Sequence, residues 1–405
     1  MENYVINSEQ PNQEENNQTA AVNSTLFSSN NGTDEYDKPN FIEYLNISNE
    51  LPLKYAIPMY GYAMPLLLLV TIVANTLIVV VLSKKHMRTP TNAVLMAMAL
   101  SDMFTLLFPA PWLFYMYTFG NHYKPLSPVG ACYAWNVMNE VIPMLFHTAS
   151  IWLTLALAVQ RYIYVCHAPV ARTWCTMPRV LKCICWISFL AFLHQFTRFF
   201  ERQYEPVTIT WRGQQNVTVC RVQFADWLQD KVTLNVYFIV YYSFRVIFVH
   251  VGPCISLVIL NLLLFKAMRE AQLKRDKLFK ENRKSECKKL RDSNCTTLML
   301  IVVVTVFLLT EIPLAVVTVL HIISSGITEI LDYNIVNTLI LFTNFFIIVS
   351  YPINFAIYCG MSRQFRETFK ELFIRGTVQV TRRNGGSSKY SLVNGPRTCT
   401  NETVL

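Results

Sequence analysis

Ile151-Trp152-Leu153-Thr154-Leu155-Ala156-Leu157-Ala158-Val159-Gln160-Arg161-Tyr162 is the stretch that decides the fold of this chain. It is the second half of an apolar run, Val137–Val165. A helix needs about 20 such residues to cross a hydrocarbon core roughly 30 Å thick. A guanidinium at a helix centre costs roughly 2.5–3.5 kcal/mol on insertion scales, so Arg161 is expected where the run ends, at a membrane face.

Six further runs have the same length and character: Ile57–Leu82, Ala93–Tyr117, Val180–Phe200, Leu234–Leu264, Leu298–Ile323 and Ile335–Tyr358. A chain that is 53% hydrophobic and 15% charged suits a membrane protein better than two or three soluble domains. Only helices and closed barrels satisfy their backbone groups in lipid, and continuous apolar runs lack a barrel's alternation. The expected fold class is an all-α membrane protein, a bundle of seven transmembrane helices.

Orientation follows from Lys and Arg, which stay in the cytoplasm when they flank a span. Lys84, Lys85 and Arg88 follow span one; Arg161, Arg172, Arg179 and Lys182 fall between spans three and four; eleven Lys/Arg occupy Lys266–Arg291. The first 54 residues hold nine acids and two lysines. The amino terminus is therefore expected outside and the carboxyl terminus inside. The net charge of +9 reflects the same cytoplasmic bias and needs no nucleic acid to explain it. Met1–Gln10 lacks the basic and apolar stretches of a cleavable signal, so span one is expected to act as its own insertion signal.

Four regions follow: residues 1–54 as an extracellular disordered tail, 55–359 as the membrane domain, 360–375 as an amphipathic surface helix, and 376–405 as a cytoplasmic tail. Sequons begin at Asn17, Asn23, Asn31 and Asn46 in the outer tail and at Asn216 between spans four and five, all on the outer side. Of eleven cysteines only Cys132 and Cys220 lie outside, so an oxidising compartment should join them. Val207–Trp211 and Val217–Val222 flank Arg212-Gly213-Gln214-Gln215 as a β-hairpin, expected to form a rim over an outer cavity. Arg269–Arg291 mixes basic and acidic residues without an apolar face and reads as a solvated extension of spans five and six. Phe365, Phe369, Leu372 and Phe373 give the surface helix its apolar side, expected to lie on the inner membrane surface.

The set of Asn75, Asp102 in Leu100-Ser101-Asp102, Arg161, Trp186, Pro253, Pro313, Asn354 and Tyr358, in that order on seven spans, resembles the rhodopsin-family (class A) G-protein-coupled receptors. The resemblance covers about Tyr55 to Arg375. It implies an extracellular agonist, an outward movement of span six, and partners on the inner face: a heterotrimeric G protein and arrestin. Gln160, Arg161, Tyr162, Asn261, Pro313, Asn354 and Tyr358 occupy the coupling and switch positions. Several depart from the family's pattern. Gln160 replaces the acid before the arginine, Glu311 stands where a tryptophan is usual, Pro352 precedes Asn354 by two residues, and Asn261 replaces a tyrosine. Cys132 lies 29 residues before Arg161, about one helical turn farther than is common. The combination of Gln-Arg-Tyr, Thr310-Glu311-Ile312-Pro313 and Tyr351-Pro352-Ile353-Asn354 is similar to the invertebrate receptors for sex peptide and myoinhibitory peptides, and more loosely to FMRFamide-like peptide receptors. That resemblance implies a short amidated peptide with tryptophans as agonist and inhibitory-type G-protein coupling.

Intramembrane ionisable groups are functional candidates because their insertion must be compensated. Asp102, with Asn75, Ser150 and Asn354, forms either a structural hydrogen-bond network or, as the family implies, a sodium site on Asp102 and Ser150. Glu311 either pairs with Arg245, eight residues before Pro253, or is protonated or water-solvated and only packs. Trp112, Glu140, His147, Arg245, Glu311 and Asn344 are the expected ligand contacts. Thr403 and Leu405 in Glu402-Thr403-Val404-Leu405 fit a terminus that a PDZ domain holds by strand addition. No paired hydropathy repeat suggests a transporter, span seven has no lysine for a retinal Schiff base, and no motif suggests an enzyme.

Overall fold

The computed structural model describes Leu45 and residues 52–211, 215–281, 283–326 and 333–374. Seven helices in it are long and apolar enough to cross a membrane: Leu53–Leu82, Pro90–Thr118, Val129–Cys166, Met177–Phe199, Val236–Lys277, Asn294–Ile323 and Ile335–Met361, called spans one to seven below. They coincide with the seven apolar runs and make a seven-span helical bundle. Helix starts follow local chemistry. Thr89 caps span two by accepting from the Asn92 N–H at 3.2 Å, with Pro90 in the first turn, where its missing N–H costs nothing.

Three spans widen into π-helical turns just ahead of a proline: Ile57–Ala63 before Pro65, Val137–Val141 before Pro143, and Arg245–Val251 before Pro253. Proline has no N–H to donate and its ring crowds the carbonyl one turn back, and a wider turn relieves the crowding. In span five the Gly252 N–H donates to Ile247 O across the π turn. A Cβ at Gly252 would collide with that oxygen, so the turn requires glycine. The next carbonyl, Phe248 O, loses its donor to Pro253 and receives the Trp152 Nε1–H of span three at 2.8 Å.

At the outer end, β1 (Arg202–Trp211) and β2 (Gln215–Phe224) pair antiparallel, from Arg202 opposite Phe224 to Trp211 opposite Gln215. The hairpin is longer than its apolar alternation suggests, and Gln215 lies in β2 rather than in the turn. The Cys132–Cys220 disulfide ties β2 to span three, and Leu45 N donates to Cys220 O at 2.8 Å. At the inner end the helix of span five runs to Lys280 and that of span six starts at Lys284, so the charged segment is a helical extension of both.

The surface helix is Arg363–Phe373, capped by Ser362, which accepts from the Phe365 N–H at 3.2 Å. Its apolar side is shared. Phe365 is buried against Phe355 and Tyr358, whereas Phe373 is half exposed. His86, after span one, lies 2.8 Å from the Thr368 hydroxyl and fastens the helix to the bundle. Trp186 of span four is 62% exposed and faces outward.

Candidate functional site

Helical spacing on span three brings Met144, His147 and Ser150 to one inward face. Ser150 donates to Asp102 Oδ1 of span two at 2.7 Å. One turn outward, His147 Nε2 lies 3.2 Å from Glu311 Oε1 of span six, and the other carboxylate oxygen is 3.9 Å from His250 Nδ1 of span five. His147, His250 and Glu311 are all buried. A cavity of about 20 Å³ joins the two groups, lined by Asp102, His147, Ser150, Glu311, Tyr351 and Asn354 among others. That is room for about one water.

Arg245 is not the partner of Glu311. The π turn directs its guanidinium to His250 Nε2 at 3.4 Å and to Met144 Sδ at 3.2 Å, so Arg245 reaches the carboxylate only through His250. His250 itself escaped the sequence reading, although Gly252-Pro253 just after it signals a widened turn that re-aims the preceding side chains. Asn75 is fully buried in span one, but its amide has no hydrogen-bond partner and does not join the Asp102–Ser150 pair.

Glu140 sits higher, at the π turn of span three, where Arg202 Nη1 approaches to 3.0 Å and Arg198 Nη2 to 3.5 Å. Arg198 also pairs with Glu201, which accepts from the Tyr237 hydroxyl at 3.0 Å. Burial lowers the Arg202 pKa, but the Glu140 carboxylate outweighs it and holds the guanidinium above its ordinary value. The cluster therefore clamps the base of the hairpin to spans three, four and five. Trp112 is half-buried and edge-on to Tyr115, and Asn344 is half-buried on span seven.

At the inner end Gln160 is buried with its side-chain amide unpaired. Among the described residues no carboxylate pairs with Arg161, whose guanidinium lies 5.7 Å from the Tyr164 ring centre. Tyr162 meets the His167 ring edge-on. Asn261 Nδ2 donates to Thr305 Oγ1 at 3.2 Å and joins spans five and six. Pro313 lies inside the helix of span six, and Tyr358 is buried on Phe365. Asn216 is exposed on β2. Asn17, Asn23, Asn31, Asn46, Thr403 and Leu405 lie outside the described residues.

A family model described as the serpentine type 7TM GPCR chemoreceptor Srw matches residues 62–376. Over 368 residues the chain is 62% identical to the sex peptide receptor of Drosophila melanogaster, covering 90% of this chain and 84% of that receptor. It is 34% identical over 330 residues to the sex peptide receptor-related protein 2 of Caenorhabditis elegans, covering 80% and 73%. The FMRFamide receptor of Drosophila melanogaster is 26% identical over 319 residues, covering 75% and 52%.

Proposed function

This chain belongs to the serpentine-type seven-transmembrane G-protein-coupled receptors, multi-pass proteins of the plasma membrane, and we propose that it is a receptor for a short amidated, tryptophan-containing neuropeptide signalling through an inhibitory-type G protein. The observation that carries the reading is the 62% identity to a sex peptide receptor across 90% of the chain. The reading is of a receptor, not of a catalyst.

In this reading the peptide enters from the outer side, beneath the hairpin. Trp112 offers an aromatic face; Glu140, Arg245 and Asn344 offer polar groups to an amide end. His147 and Glu311 form the floor. The ligand acts on the polar link that ties span three to spans five and six, and the response passes Asn354 beside the cavity to reach Arg161, Tyr162 and Asn261 at the inner end. An inner face where Arg161 has no carboxylate partner among the described residues suits a protein partner that supplies its own acceptors, the G protein first and arrestin after it.

Asp102 and Ser150, with the Asn354 amide beside the same cavity, form an oxygen-rich set that fits a hard cation. We read it as a sodium site. Glycans on the outer sequons and a PDZ-domain protein on Thr403 and Leu405 complete the proposal.

Cells expressing the chain should answer tryptophan-containing amidated peptides with a fall in stimulated cAMP. Silence toward all such peptides, with surface expression shown, overturns the ligand assignment. A response to FMRFamide-like peptides instead selects the second reading, which the FMRFamide receptor match favours.

A further inference from the structure

A groove of about 480 Å³ runs between spans five and six. Every residue lining it is Val, Ile, Leu, Ala or Cys, so beyond the weakly polar Cys254 thiol it offers no hydrogen-bonding side chain. Two features border it: the π turn with Pro253 on span five, and Pro313 on span six, where a helical hydrogen bond is missing. Farther inward Asn261 of span five donates to Thr305 of span six. Ile255, Ile259 and Val316, on the two walls, are each more than half exposed and therefore face lipid.

We propose that this groove is a binding site for one hydrocarbon chain of a membrane lipid. The site rests on the seven-span placement in the membrane and not on the identity of the peptide. Lipid tails are as apolar as leucine, so solvent exclusion gives no preference between surfaces inside the bilayer and close packing decides. A chain lying in a concave groove touches protein on two sides, whereas on a convex helix face it touches one. The stretch of span five that lines the groove, Val251–Ile259, is about 13 Å long at 1.5 Å per residue. Span five continues well beyond both ends of it. A headgroup therefore lies outside the groove and only a tail reaches in.

The inner wall of the groove gives the tail a consequence. Cys254 lies one turn after His250, and Ile312 follows Glu311. A chain seated there sets the spacing of the two helices where they carry the buried His250–Glu311 contact. The polar link is thus accessible from the side as well as from the outer cavity.

The full chain in nanodiscs, with a trace of phosphatidylcholine carrying a mid-chain diazirine, tests this by irradiation and mass spectrometry. Labelling should concentrate several-fold on Val251–Ile259 and Ile312–Leu320 over Leu66, Leu69 and Trp186, which are at least as exposed on spans one and four. Ile255→Trp and Val316→Trp, which fill the groove, should cut the groove signal and leave the reference positions unchanged. Even labelling of all outward faces of the unmodified chain overturns the site, whether or not the variants fold. Unchanged groove labelling in a folded variant does the same. A sterol photoprobe that labels the groove in preference to the lipid chain overturns the assignment of its occupant.

Discussion

Glu311 is a carboxylate buried inside the bundle, and it makes a strong demand on its surroundings. A carboxylate at membrane depth persists only with partners, and here they are His147 at 3.2 Å and His250 at 3.9 Å. Removing one member of a buried pair strands the other, at about 3–5 kcal/mol in the strongest cases. Glu311→Gln keeps the shape and removes the charge, so a smaller effect is expected, read on signalling. Agonist potency should fall by at least about tenfold, or ~1.4 kcal/mol, with surface expression unchanged. His147→Gln should do the same, and the double variant should be no worse than the more impaired single one, because both remove one interaction. Dose–response curves with a cell-surface immunoassay decide this. Unchanged potency in Glu311→Gln removes the residue from the mechanism.

The elements show how far such a site can be read before the fold is known. Apolar runs placed span one at Ile57–Leu82 against Leu53–Leu82 in the fold, because the cost of exposing a backbone to lipid leaves little choice. The hairpin and the Cys132–Cys220 pairing were legible for similar reasons, alternation and compartment. The pairing of Glu311 was not. Extrapolating from Pro253 assumes a regular helix, and the wider π turn before it moves each side chain to a new face, taking Arg245 off the carboxylate and placing His250 on it. The same turn yields a prediction. Phe248 O has no donor within its own helix and depends on Trp152 Nε1–H. Phe248 faces lipid, where no water can replace a lost donor, so leaving its carbonyl unpaired costs about 1–3 kcal/mol. Trp152→Phe keeps the ring in place and removes the donor. The detergent-solubilised receptor should lose about that much stability in a thermal melt, and Trp152→Phe with an unchanged melting temperature would show that another donor takes over the Phe248 carbonyl.

Across the whole molecule the outer end is fixed at several points, so an outer ligand acts against a firm roof. The hairpin is held at its middle by Cys132–Cys220 and at its base by Glu140 with Arg198 and Arg202; Tyr204 N donates to the Tyr133 hydroxyl at 3.2 Å between them. The disulfide closes 88 residues, for which a chain-entropy model gives more than 4 kcal/mol as an upper bound, since spans three to five are already ordered by the membrane. Its removal is therefore expected to free the roof without unfolding the bundle. Cys132→Ser with Cys220→Ser should leave helical circular dichroism unchanged, make the hairpin sensitive to protease, and weaken agonist binding by about tenfold, ~1.4 kcal/mol. Arg202→Gln, which removes a partner of Glu140 and no proposed ligand contact, should loosen only the base and cost less. The three substitutions together should cost more than the sum, because two anchors on one short hairpin each cover for the loss of the other. If the cysteine variant binds agonist as tightly as the unmodified receptor while its hairpin is cleaved, the roof has no part in holding the peptide, and the ligand must be retained by the spans alone.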